Sequence, residues 1–236
     1  MTFKTLAASA AAIATTFGLG AAAQASTVFT ATLEEEQSTT PGDAMGVFAN
    51  AALTLNEFDD GSYALSMSIT FTDGIDWTQV IESGQINVIG EDATDGGVDA
   101  TRFHIHNAPR GVAGPVVFGI FDLVAPGAVA DTDDDTTLTF DEDGGAVIET
   151  EWDSMEGTGD ATLMAFVNEL LAARDGEDVA LYFNFHTVAA PGGLIRGQIV
   201  GANDFGDPIP VPAAAFLFAP VVAGGIAARR RKQRAA

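Results

Sequence analysis

Short runs of β-branched and aromatic residues, cut apart by Gly, Asp and Pro, constrain this chain more than any other feature. They cover Val28–Leu33, Gly46–Leu55, Ser62–Phe71, Gln85–Ile89, Thr101–Asn107, Val116–Phe121, Thr136–Phe140, Ala146–Glu151, Val179–Thr187 and Leu194–Val200. Several alternate apolar with polar residues, which is the period of a strand with one face buried. Good turn formers lie between them, such as Asp60-Gly61 and Asp143-Gly144-Gly145. One stretch, Asp160 to Arg174, breaks the pattern: Leu163, Phe166, Val167, Leu170 and Leu171 recur at helical spacing. Asp160 suits an N-cap there and Gly176 a stop. The pattern predicts an all-β domain, a Greek-key β-sandwich or barrel, with one crossover helix before its last two strands. No Pro/Ser-rich linker and no internal repeat interrupts it, so residues 26–202 read as one domain.

Composition excludes several functions. The chain has no cysteine, which removes disulfide scaffolds, thiolate metal sites and cysteine nucleophiles. It carries 33 acids against 10 bases, a net charge of −23, so nucleic acid is not an expected partner. At 47% hydrophobic residues it still has ample material for a core. The charges are also segregated. Lys4 lies at one end and Arg229, Arg230, Arg231, Lys232 and Arg234 at the other. Between them the only bases are Arg102, Arg110, Arg174 and Arg196, while every acid falls between Glu34 and Asp207.

The two ends read as addresses. Residues 1–25 have the parts of a secretory signal peptide: Lys4, an apolar stretch from Leu6 to Gly20, and Ala23-Gln24-Ala25 before Ser26. Residues 203–212 form a Pro-rich linker, residues 213–228 an uncharged apolar helix, and residues 229–236 a basic tail. That helix would reach about 24 Å against a hydrocarbon core of about 30 Å, so flanking residues must help it span. The basic cluster would stay cytoplasmic. Ile209-Pro210-Val211-Pro212-Ala213-Ala214-Ala215, the apolar helix and Arg229-Arg230-Arg231 together resemble a PEP-CTERM sorting signal of the Val-Pro-x-Pro-Ala variety, with Ile209 in place of Val. The resemblance implies recognition at Pro210 and Pro212 by an exosortase-type sorting protease and delivery to the envelope or extracellular matrix. A plain C-terminal membrane anchor is the alternative.

The chemistry concentrates on three histidines, the full complement of the chain. His104 and His106 form an H-x-H pair on one strand, so both imidazoles project from the same face, roughly 6.5–7 Å apart. Phe103 and Ile105 point the other way. On the last two strands Phe183 and Phe185 alternate with Tyr182, Asn184 and His186, and Ile195 and Ile199 with Arg196 and Gln198. Three strands thus present one apolar face and one bearing His, Arg, Asn or Gln. Arg102 and Arg196 sit in these strands and Arg110 in the turn after one. The polar face, with Arg102, Asn184, Arg196 and Gln198 around the histidines, is the candidate site. Three neutral imidazoles suit copper or zinc. The same histidines could instead be structural, donating to backbone carbonyls or to Asn184 and Thr187.

These residues also carry a family resemblance. Phe103-His104-Ile105-His106-Asn107-Ala108-Pro109-Arg110-Gly111 with Gly114-Pro115-Val116-Val117, then Tyr182 to Thr187 with Pro191-Gly192-Gly193-Leu194-Ile195-Arg196-Gly197-Gln198, resembles a CHRD domain, the chordin-type module. The resemblance spans about Thr27 to Gly201, with Leu194 where the family often has an acid. It implies an extracellular module with no settled biochemical activity, here a secreted or surface-sorted bacterial protein that binds envelope or matrix polysaccharide or protein. A weaker similarity is to the β-barrels of copper/zinc superoxide dismutases. It implies copper-ligand positions for His104, His106 and His186 and a substrate-guiding place for Arg196. The bridging histidine, zinc ligands and cysteines of those enzymes have no counterpart. The alternative function is therefore an extracytoplasmic copper- or zinc-binding protein, with redox chemistry open.

Other motifs are weaker. Asp131, Asp133 and Asp135 with Glu142 match part of a calcium loop, but Thr136 replaces its glycine and Leu138 and Phe140 read as strand. Calcium is the less favoured ion, and these acids, like Glu34-Glu35-Glu36 and Asp92 to Asp99, read as solvated surface. Trp77 and Trp152 read as core anchors.

Overall fold

The computed structural model describes residues 26–39, 46–90, 97–125, 135–141 and 145–202. Among them the protein is mostly strand: β1 Thr27–Leu33, β2 Ala49–Glu57, β3 Tyr63–Phe71, β4 Ile75–Asp76, β5 Asn87–Ile89, β6 Val98–Asn107, β7 Val116–Asp122, β8 Thr137–Phe140, β9 Ala146–Asp153, β10 Gly157–Thr158, β11 Ala161–Thr162, β12 Asp178–Thr187 and β13 Ile195–Gly201. Two helices interrupt them, α1 Thr78–Ser83 and α2 Leu163–Ala172. The all-β expectation holds: eleven strands form one sheet, ordered β4-β6-β12-β13-β1-β2-β3-β9-β8-β5 with β7 also paired to β6. The sheet curls into a half-barrel. The sorting motif at Pro210 and Pro212, the signal segment, the apolar helix, the basic tail and most of the calcium-like loop lie outside the described residues. Among the described residues no helix is long and apolar enough to cross a membrane.

Alternation in sequence becomes alternation in burial. In β1, Phe29, Ala31 and Leu33 are buried while Val28, Thr30 and Thr32 are exposed. β2, β3 and β9 repeat the pattern, as strands with one wet face do. The inward residues meet around an aromatic cluster. Phe71 packs edge-on against Trp77 at 5.3 Å and Phe103 at 5.5 Å, and Phe103 stacks on Phe183 at 5.5 Å. Trp77 and Trp152 are both core residues, as expected. β1 lies between β2 and β13, and Ala202 N–H donates to the Val28 carbonyl at 2.9 Å, so the first and last strands run side by side.

The helix expectation needs two corrections. α2 buries Leu163, Phe166, Val167 and Leu170, but Leu171 is exposed. Its N-cap is Thr162 and its C-cap Ala173, in place of Asp160 and Gly176. The reason is a small hairpin: Ala161 and Thr162 pair with Thr158 and Gly157, which keeps the chain extended one turn longer. The short α1 was not anticipated. It is a six-residue turn set between the buried Trp77 and a left-handed Gly84.

β6, β7, β12 and β13 depart from one-sided burial. Almost every residue of β12 and β13 is buried on both faces. Register aligns their polar residues into rows: His104 opposite Asn184 opposite Arg196, and His106 opposite Tyr182 opposite Gln198. The second face is therefore covered by something other than sheet.

Candidate metal centre

The cover is made of loops, and its inner surface is backbone carbonyl. Arg196 donates to the carbonyls of Val112 at 2.8 Å and Pro109 at 3.0 Å, and to Gln198 Oε1 at 3.2 Å. Gln198 Nε2 donates to the carbonyls of Ala108, Val179 and Leu181. On the other side Asn184 Nδ2 donates to the Gly192 carbonyl and Arg102 to that of Pro191. The segments 108–114 and 190–193 thus roof the polar face, which is why it is buried although it is not apolar. Glycine permits the close fit. A Cβ at Gly114 would stand 2.0 Å from the Asn107 carbonyl oxygen, and one at Gly193 2.1 Å from Asn184 Oδ1.

Under this roof the three histidines converge. His104, His106 and His186 are 3%, 9% and 5% exposed, and one nitrogen from each lies within 4.8 Å of the others. His106 Nδ1 is 2.9 Å from the Gly114 carbonyl and His186 Nδ1 3.0 Å from the Pro191 carbonyl. A carbonyl only accepts, so both rings carry their proton on Nδ1. Their Nε2 atoms are left as bare lone pairs, buried and without a hydrogen-bond partner. His106 also stacks on Tyr182, rings 5.0 Å apart, and the Tyr182 hydroxyl accepts from Gly114 N–H at 3.0 Å.

His104 is held differently. Its Nε2 lies 3.1 Å from Asp122 Oδ2, within ion-pair range but off hydrogen-bond alignment, and its Nδ1 has no partner. All three rings are held below the ordinary histidine range. Burial is the main cause for His104, whose pKa falls to about 4, with the Asp122 charge opposing and His106 and Arg102 assisting. Burial likewise takes His186 to about 3 and lowers His106. The cluster is therefore a set of neutral imidazoles, the form that binds metal.

The polar residues expected on one face are brought together there: Arg102, His104, His106, Asn184, His186, Arg196 and Gln198. None of the histidines bonds to Asn184 or Thr187, whose Oγ1 instead accepts from Ala190 N–H. Arg110 turns away to chelate Asp178, with contacts of 2.8 and 2.9 Å, and donates to Gln37. Sequence reasoning missed Asp122. It closes the apolar run Val116–Phe121, and the one signal is that position, an acid directly after an apolar strand, which register then sets opposite Arg102.

The comparisons agree with this architecture. The family model for the CHRD domain matches residues 29–199. No curated protein and no solved structure matches the chain. The match begins in β1 and ends in β13, so it takes in the curled sheet, the carbonyl roof and all three histidines, and the chain belongs to the CHRD domain family.

Proposed function

We propose that this chain is an exported CHRD module of the bacterial cell envelope that holds one copper or zinc ion at His104, His106 and His186. A single observation carries the metal reading. Two Nε2 lone pairs are buried together with no hydrogen-bond partner, while the Nδ1–H of each ring is anchored on a carbonyl. A buried unpaired acceptor costs about 1–3 kcal/mol, and a metal ion would satisfy both at once. An anchored Nδ1–H is also the usual outer partner of a ligating histidine. Export is supported by membership in a family of extracellular-type domains and by the signal-like and sorting-like ends. The role is that of a binding or matrix module, with envelope polysaccharide or protein as its partners and a sorting protease acting at Pro210 and Pro212.

Metal analysis by mass spectrometry tests the reading, on chain purified without an affinity tag and exposed to copper, zinc and calcium. About one copper or zinc per chain is expected, and none in His186→Ala. Absence of both ions at micromolar exposure would remove the metal. A second reading, in which the polar face only fastens its loops, draws on Arg196 and Gln198, whose donors go to roof carbonyls. It expects no stoichiometric ion and an unchanged fold in chelator.

A further inference from the structure

Asp122 touches the cluster from outside and is itself immobilised. It is 3% exposed at the end of β7. Its Oδ1 accepts from Val124 N–H at 2.8 Å and Ala125 N–H at 2.7 Å. Its backbone is clamped by one side chain, for Gln85 Oε1 accepts from Asp122 N–H at 2.9 Å and Gln85 Nε2 donates to the Asp122 carbonyl at 3.1 Å. These bonds leave Oδ2 as the free end of the carboxylate, 3.1 Å from His104 Nε2. Neither ring nitrogen of His104 makes an aligned hydrogen bond, but a carboxylate oxygen repels a lone pair and attracts an N–H, so the nitrogen that faces it is the one that carries the proton. The neutral ring then has its lone pair on Nδ1, which is buried and has no partner.

We infer that His104 enters the metal site through Nδ1, opposite in sense to His106 and His186, which enter through Nε2, and that Asp122 is the positioning residue that sets this tautomer. The inference rests on the metal reading above. It gives the ion a mixed set of three imidazole nitrogens with no charged ligand. Arg102 and Arg196 stand beside that set, near enough to disfavour added positive charge on the histidines. A carboxylate behind one imidazole supplies the compensating charge at one remove. Asp122→Asn reverses the logic. The Asn oxygen would take the Val124 and Ala125 N–H bonds, its NH2 would face His104 Nε2, and the ring would have to carry its proton on Nδ1, where the ion should bind.

Imidazole nitrogen NMR on 15N-histidine-labelled full chain tests this, first metal-free near neutral pH and then with zinc. The expected metal-free pattern is Nε2–H at His104 and Nδ1–H at His106 and His186. Zinc should then shift Nδ1 of His104 and Nε2 of the other two. Asp122→Asn should convert His104 to Nδ1–H and weaken zinc about 10–100-fold. Finding Nδ1–H at His104 in the unsubstituted chain, zinc on its Nε2, or equal zinc affinity in a folded Asp122→Asn would overturn the inference. If the unsubstituted chain takes up no zinc, the metal reading fails, while the metal-free tautomers still decide the part played by Asp122.

Discussion

The guanidinium carbon of Arg196 lies 3.4 Å above the centre of the Tyr182 ring. One flat cation is thereby stacked on a sheet residue beneath it and bonded to two loop carbonyls above it. Arg196→Met should cost about 3 kcal/mol, because two carbonyls lose charged donors under the roof. Arg196→Lys should recover little of this, since one ammonium cannot reproduce a planar fork that also stacks. Arg110 supplies the contrast. Its pair with Asp178 is about half exposed, with side chains 47% and 40% accessible, so Arg110→Ala should cost less than about 1 kcal/mol. Urea unfolding of the three variants measures the difference, and equal losses for Arg196→Met and Arg110→Ala would contradict the roofed geometry.

Two glycines should be irreplaceable for reasons of space. Gly193→Ala forces a Cβ to 2.1 Å from Asn184 Oδ1 at a φ of +122°, and Gly114→Ala sets one 2.0 Å from a backbone oxygen. Each should lose about 2–4 kcal/mol. Gly111 has a φ of +77° but open space around it, so Gly111→Ala should show only the conformational cost, about 1 kcal/mol. Thermal unfolding ranks them, and the two tight positions should also lose any bound ion, because they carry the loops that anchor His106 and His186.

The metal-free chain should weaken in mild acid. Burial holds His104 to about 4 and His186 to about 3, and lowers His106, whereas each titrates near 6.5 once unfolded. Between those limits the unfolded chain binds more protons than the folded one. Stability is then complete above about 6.5 and declines as pH falls toward 4, by about 1.4 kcal/mol per unit per histidine. The urea midpoint should drop between about pH 7 and about pH 4.5, with a shallower slope in His186→Gln. A flat profile would mean that the rings are not buried in neutral form.

Zinc should raise the melting temperature. An ion at ~100 times its dissociation constant adds about 2.7 kcal/mol, on the order of 5–10 °C for a chain of this size. Chelator should reverse the shift, and His106→Ala should abolish it. Calcorimetric scans with calcium provide the specificity control, and an equal shift with calcium would assign the ion to the acidic surface.

The strands were legible because apolar residues alternate, and the H-x-H pair shares a phase with Tyr182-Asn184-His186 and Arg196-Gln198. That phase was enough to gather seven polar residues on one face. It could not reveal that the face is closed. The closing groups are carbonyls of Pro109, Val112, Gly114 and Pro191, and a carbonyl belongs to every residue, so it leaves no mark in a sequence. Asp122 was hidden for a related reason: its partner comes from a neighbouring strand, by register. Asp160 was misread as a cap because a two-residue hairpin outcompeted helix for Ala161 and Thr162.

The pairing of β1 with β13 has a mechanical consequence. Val28 and Ala202 are joined by one hydrogen bond, so the chain enters and leaves the domain at the same spot. Opposed tension on those two ends would act across neighbouring atoms and open the β1–β13 ladder one bond pair at a time. A load carried through one end alone would leave the ladder closed. Such a domain resists being hung from a surface far better than being strung along a taut chain.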